Sequence, residues 1–368
     1  MSVVISEERT QQAAPGGERL LGDAARAAES SHARLAGLLT DIFLPDAHRA
    51  SDRTRAVMAR LFDQLVGAVE ADLRAILTPH FEGEAPDVAA VLASERVAIA
   101  LPILHETGLL RDTDLVQLLL VRAEEHRVVL GLRRIAESGL DPAPVLSPPD
   151  DVVAAAADHA LRLAENDRID AAYEPVLAAS DLPADLLRRV IWRVAAALRD
   201  YLVRARNVDP AVADRHIAAA GAALLAAHDA DATLEAAALR LATRWRELGS
   251  DDDARLHHAL RQGRFVLFAA MLAVRAGIDV DTATAMAADS DIARLAVLLR
   301  AVGVGRDTAV MILFEMAAIH GLEEQRLIAC ADAYGRLDPA AARAALMPPP
   351  LDPGYRSALA ALAVERAP

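Results

Sequence analysis

The chain has 368 residues and a formal net charge of −14; 54% of its residues are hydrophobic and only 3% aromatic. An acidic surface repels nucleic acid and anionic lipid at long range, so neither a nucleic-acid nor a membrane partner is expected. The single cysteine, Cys330, excludes an intrachain disulfide and suits a reducing, cytoplasmic compartment.

This length allows two or three domains, or one extended helical array. Much of the hydrophobic content is alanine, which favours closely packed helices over sheets. The opening MSVVISEERTQQAAPGGE lacks a basic stretch followed by an apolar core, so no secretory leader is expected. Residues 1–17 read as a disordered tail. A helix is predicted from Glu18 to Phe43, with Leu21, Ala24, Ala28, Leu35, Leu38 and Ile42 on one stripe, and Pro45 stops it. Ser51 caps a second helix over Asp52–Leu77, whose Val57, Leu61, Leu65, Val69 and Leu73 repeat at three and four. A short proline-containing connection predicts an antiparallel pair, a long N-terminal helical hairpin. A homodimer through that hairpin is a further expectation.

Pro86 begins a short helix, and the stretch Glu95–Arg134 follows as helix, turn, helix, turn, helix. Pro102 predicts a kink in the first of these. Asp112 or Thr113 caps the second, and Glu124 and Glu125 open the third, matching its positive N-terminal dipole. The stretch is apolar on nearly every side, which places it centrally. Leu140–Asp151 is dense in proline and is the candidate boundary between an N-terminal helical domain, 18–145, and a C-terminal helical-repeat domain, 146–368. Ser147 with Pro148 and two aspartates marks a helix start. Helices are predicted at 150–164 and 168–179, and an amphipathic one from 184 to about 204. Eight more follow, at 209–228, 231–247, 251–262, 264–276, 280–288, 290–302, 305–319 and 323–333, separated by polar or glycine turns. That rhythm is what helix-pair repeats give. A last short helix is predicted at 353–365. The longest apolar run, Ile217–Ala227, falls short of the roughly 20 residues a membrane span needs.

The succession VAIALPILHETGLLRDTDLVQLL, then EEHRVVLGLRR, resembles the bacterial family known as domain of unknown function 2336. DLPADLLRRVIWRVAAALRDYLV and LRQGRFVLFAAMLAVRAGIDVD are similar to its C-terminal part. In place of the family's Ser-Pro before the second turn stands His105-Glu106-Thr107. The resemblance implies an all-α protein, an irregular HEAT-like helical-repeat array, found mostly in alphaproteobacteria. It implies no activity.

Several constellations bear on chemistry. His105, Glu106, Glu125 and His126 sit near two predicted turns, and two His with two Glu suit a metal. Their spacing puts no two of them on one helical face in a ligand pattern, so they read as turn fixtures, and no metal or cofactor is expected. His257 and His258 point about 100° apart on a helix and read as a solvated pair. Ser31-His32 on a long helix makes His32 a phosphoacceptor candidate, although it lies near the apolar stripe. On the 184–206 helix, Arg188, Arg199 and Arg206 occupy one flank and Arg189, Arg193 and Arg204 the other. Arg188, Arg189, Arg193 and Arg199 are therefore candidates for binding an anion or an acidic partner, weighed against internal ion pairs. Gly303-Val-Gly305-Arg306 lacks Walker spacing and reads as a helix cap plus turn. No Gly-x-Ser-x-Gly occurs, and Cys330 in an alanine-rich helix is expected to be buried and inert. The expectation is a non-enzymatic cytosolic scaffold that binds another protein, in bacterial signalling or regulation. The alternative is a histidine phosphotransfer or phosphate-sensing module.

Overall fold

The computed structural model describes residues 15–40, 52–83, 85–94, 97–107, 112–137, 150–170 and 173–346, and in the first helix the side chains of 16–28 only. The described residues form sixteen α-helices and no strand beyond one isolated bridge, Ile169 to Pro175. The helices are α1 (Pro15–Thr40), α2 (Asp52–Phe81), α3 (Pro86–Leu92), α4 (Ala100–Thr107), α5 (Thr113–Glu137), α6 (Val152–Asp167), α7 (Ala184–Arg206) and α8 (Pro210–Ala226). They continue as α9 (Leu234–Glu247), α10 (Asp253–Arg261), α11 (Phe265–Ala276), α12 (Val280–Ala288), α13 (Ile292–Ala301), α14 (Arg306–His320), α15 (Glu324–Arg336) and α16 (Pro339–Leu346). None of them is long and apolar enough to cross a membrane. The fold is all-α, as the alanine-rich periodicity predicts.

Much of the acidic excess works at helix starts. Asp151, Asp209, Asp252, Asp279 and Asp291 each accept a backbone N–H of the helix they precede. Such caps satisfy donors that have no partner inside the helix. Asn207, Gly277 and Gly321 end α7, α11 and α14 in the left-handed conformation.

Four local expectations are corrected. No turn separates Leu115 from Glu125: α5 runs unbroken for 25 residues, because nothing between Thr113 and Glu137 is a helix breaker beyond Gly131. Pro102 is the third residue of α4, in the first turn, where its missing N–H costs nothing and no kink results. The helix expected at 168–179 is absent. Arg168 ends α6, Tyr173 takes a positive φ of 60°, and Pro175 lies in the isolated bridge. Finally, α16 was not anticipated, although Asp338-Pro339 is a good start signal and the Asp338 carboxylate accepts Ala341 N–H at 2.9 Å. The 353–365 helix, the 1–14 part of the expected tail and the proline-dense 141–149 lie outside the described residues.

Two apolar cores form, and they cut across the expected boundary near 145. The first joins α2, α3, α4, the start of α5, α7 and α8. The second joins α1, the end of α5, α6 and α9 through α16. The described part of α1 packs on α13, α15 and α5, and α2 packs on α3, α5, α8, α7 and α4, where a mutual α1–α2 pairing was expected. On α1, Leu20 and Ala27 are buried, the predicted Leu21, Ala24 and Ala28 are half-buried, and the side chains of Leu35, Leu38 and Ile42 lie outside the described residues; amphipathicity does not name the surface that covers such a face. Helix α5 belongs to both cores. Leu115, Leu119 and Ala123 enter the first, and Val128 and Leu132 the second.

One buried ion pair organises the first core. Arg74 donates to the carbonyls of Val91 at 2.7 Å, Leu92 at 2.8 Å and Val97 at 2.8 Å, and to that of Ser94. It also donates to Glu70 at 2.8 Å. Glu70 accepts the N–H groups of Ile99 at 2.9 Å and Ala100 at 2.8 Å. A cation therefore sits at the carbonyl end of α3 and an anion at the amide end of α4, each opposite the helix-end charge that favours it.

Candidate functional site

Where α5 passes from one core to the other, its apolar stripe is interrupted by Arg122, Glu125 and His126, all buried. Arg122 donates to Glu125 at 2.6 Å and to Glu235 of α9 at 2.5 Å. Arg168, freed by the end of α6, donates to both carboxylate oxygens of Glu235 at 2.8 Å. It also reaches Glu125 at 3.3 Å and Asp181 at 3.4 Å. Burial by itself raises the Glu235 pKa. The Arg122 and Arg168 guanidiniums override it and hold the carboxyl at about 2. Arg122, despite its burial, is held more firmly charged than a free arginine by Glu125 and Glu235.

Arg122, Glu125 and Arg168 border a cavity of about 60 Å³, lined also by His126, Glu165, Leu61 and Phe265. Burial pushes the His126 pKa down and the Glu165 pKa up, so both favour the neutral form. Arg122 Nε, Arg168 Nε and Glu165 Oε1 are buried without a protein hydrogen-bond partner. These unpartnered atoms and the room suit a few water molecules. Small-molecule sites run to about 300–1,000 Å³, so this cavity does not admit a substrate-sized ligand in the conformation described. The arrangement supplies charge and hydration at a joint between two cores, with no nucleophile.

The sequence candidates fall elsewhere. Arg189 donates to Asp112 at 2.9 Å and to Asp114 at 2.6 Å, and Arg193 meets Asp112 at 2.8 Å. Asp112 in turn accepts Leu115 N–H at 3.2 Å at the start of α5. Burial tends to raise the Asp112 pKa, but these two arginines and the Leu115 N–H lower it on balance. Arg199 meets Asp214 of α8 at 2.8 Å. Of the four arginine candidates, only Arg188 is exposed with no ionic partner among the described residues. The arginine helix thus clamps α5 and α8. His32 lies in α1, with its side chain outside the described residues.

The four residues weighed as a metal constellation separate. His105 lies 3.4 Å from Asp63 and against Phe62, whereas Glu125 and His126 face the cavity. Among the described residues no group of three or more His, Cys, Asp or Glu has metal-binding geometry. The reading of His257 as a solvated residue is corrected: it is buried on α10, 3.1 Å from Glu315 of α14, with Arg261 at 3.5 Å. Gly303, with φ 79°, closes α13, and Gly305 N–H donates to Asp253 at 2.7 Å, so the start of α14 is filled from within. Burial pushes the Cys330 thiol up to about 12.

Arg168, Asp181 and Glu235 were missed as joint residues. Their contacts span 67 and 13 positions of sequence, and no local pattern marks them. The available signal was Arg122 with Glu125, an i,i+3 pair of opposite charge in the stretch whose apolar content places it centrally.

The family model described as "uncharacterised protein conserved in bacteria" (DUF2336) matches residues 99–347, from the start of α4 to just past α16. No curated protein and no solved structure matches the chain. The matched region holds all of the charged joint and more than half of the sequence, and the chain therefore belongs to the DUF2336 family.

Proposed function

We propose that the protein is a non-enzymatic helical scaffold that binds another protein. One observation carries this reading. Met311 and Phe314 of α14 are 46% and 61% exposed, one turn apart on the face opposite the core. Single exposed apolar residues are ordinary; two large ones adjacent on one helical face make a contiguous apolar surface, the feature that interaction sites extend. Meanwhile the groups that might have served chemistry are engaged in packing the protein on itself: the Arg122–Glu235 joint, Arg189, Arg193 and Arg199 of α7, and His257. Cytoplasmic work in bacterial signalling or regulation is consistent with this reading.

The test is site-specific photo-crosslinking in the native host, with a photoreactive amino acid at Met311. The expected outcome is a discrete adduct with another protein that Phe314→Ser abolishes. A uniform smear, or an adduct unaffected by that substitution, would remove the support.

A further inference from the structure

We infer that the outer face of α14 docks a basic amphipathic helix of a partner protein, which rests on the scaffold reading and names its partner class. By helical-wheel geometry Asp307, Met311, Phe314 and Ala318 fall within about 60° of one another. All four are exposed. The buried residues Ala309, Ile312, Leu313, Met316 and Ala317 occupy the opposite side. An apolar stripe of this length matches two turns of a docked helix, whose own anchors recur at three or four residues.

Charge chooses among occupants. Asp307 heads the stripe, and Glu323 and Glu324 stand just past its end, all exposed and without an ionic partner among the described residues. Glu323 and Glu324 stand at the start of α15. The arginines that could neutralise this rim are already engaged: Arg306 with Asp332 at 3.8 Å and Arg326 with Asp291 at 2.5 Å. A second copy of the chain would set −14 against −14 and one carboxylate rim against another. The chain's own segment 351–368 has two arginines against Asp352 and Glu365, with no net charge to offer. A partner helix flanked by Lys or Arg meets both requirements, with apolar anchors on Met311 and Phe314 and cations on Asp307, Glu323 and Glu324.

The test titrates the full-length protein against three dye-labelled peptides of equal length, read by fluorescence anisotropy at about physiological ionic strength. One carries a Leu/Phe stripe at helical spacing with Lys/Arg flanks. The second has the same stripe with Glu flanks, and the third has the basic composition with the stripe scrambled. The first peptide is expected to bind and the other two to bind at least tenfold more weakly. Phe314→Ser is expected to weaken the first at least tenfold, as loss of a buried aromatic contact implies. Glu323→Lys with Glu324→Lys is expected to weaken the first and admit the second. Both substitutions are on exposed positions, and an unchanged circular-dichroism melt verifies folding. Equal binding of the basic and acidic peptides, no binding by any, or indifference to Phe314→Ser would overturn the inference. So would a dimer seen by light scattering that Phe314→Ser dissolves, or a Met311 crosslink within the chain to 347–368. If the peptides fail while the host crosslink at Met311 still yields a protein adduct, the partner class is wrong and the scaffold reading stands. If both fail, both fall.

Discussion

Arg168 and Glu235 form a two-pronged contact, with one guanidinium nitrogen 2.8 Å from each carboxylate oxygen, and they tie the end of α6 to the start of α9. Arg122 of α5 closes on the same carboxylate, so one acid holds two cations from two other elements. Breaking such a cluster on one side leaves a buried charge without its partner, which costs about 3–5 kcal/mol. Glu235→Gln is therefore expected to lower stability by that order, measured by urea unfolding. Replacing Arg122, Glu125, Arg168 and Glu235 together with apolar residues of similar volume, so that no buried charge is left without its partner, should cost less than Glu235→Gln alone. A quadruple variant less stable than the single one would show that the joint contributes more than self-compensated charge.

The same cluster sets a dependence on pH. Glu235 has its pKa lowered from 4.5 to about 2, so its stabilisation is complete above about 4.5 and is lost as pH falls towards 2, on the order of 3 kcal/mol. His126 and His258 have pKa values lowered below 6.5 by burial, so the unfolded chain takes up their protons first. Stability should decline in a first step below about pH 6.5 and a second below about 4.5. Glu165 and Asp281, raised by burial, take up protons in the folded chain before the unfolded one does, so they add stability as pH falls towards 4.5 and 3.8 and oppose the first step. His126→Gln with His258→Gln should flatten the first step and leave the second. An unchanged slope between pH 5 and 7 would contradict the assignment.

Arg74 holds four carbonyls and one carboxylate in place. Arg74→Met keeps the bulk but strands Glu70 and the end of α3, and is expected to cost about 3 kcal/mol or more. Hydrogen exchange should show α3 and α4 loosening before the rest of the fold. Uniform loosening would mean that the pair is not the local fastener described.

Gly131 is the only glycine of α5, and a Cβ there would lie 2.7 Å from two carbons of Ile319 on α14. Gly131→Ala should gain about 1 kcal/mol in helix propensity and lose about 1–3 kcal/mol to the clash, for a net destabilisation. Pairing it with Ile319→Ala should restore much of the loss. Thermal melts of the two single variants and the double variant decide it.

Asp112 joins the start of α5 to α7 through Arg189 and Arg193. Asp112→Ala should cost about 1–2 kcal/mol, as loss of a helix cap with its ion pairs implies. Arg188→Ala, on an exposed arginine, should stay within about 0.5 kcal/mol. A chemical-denaturation series on these two variants separates clamp from bystander.

Most helices were legible because their signals are local. The stripe Leu186, Val190, Val194 and Leu198 is buried in α7 as its spacing predicts, and α12 occupies its predicted residues. The family was legible too, in the order of segments that the match at 99–347 covers. Tertiary structure decided which stripes meet. It sent α1 to α13 and α15, drew α7 and α8 to α2, and turned 168–179 from a helix into a link that delivers Arg168. It also decided which charges are consumed, since Arg189 looks free on a helical wheel until Asp112 arrives from 77 residues away. Periodicity reports that a face must be covered and helix chemistry reports where a turn ends. Partner choice depends on shape and charge complementarity between segments distant in sequence, and that exists only once the chain has packed.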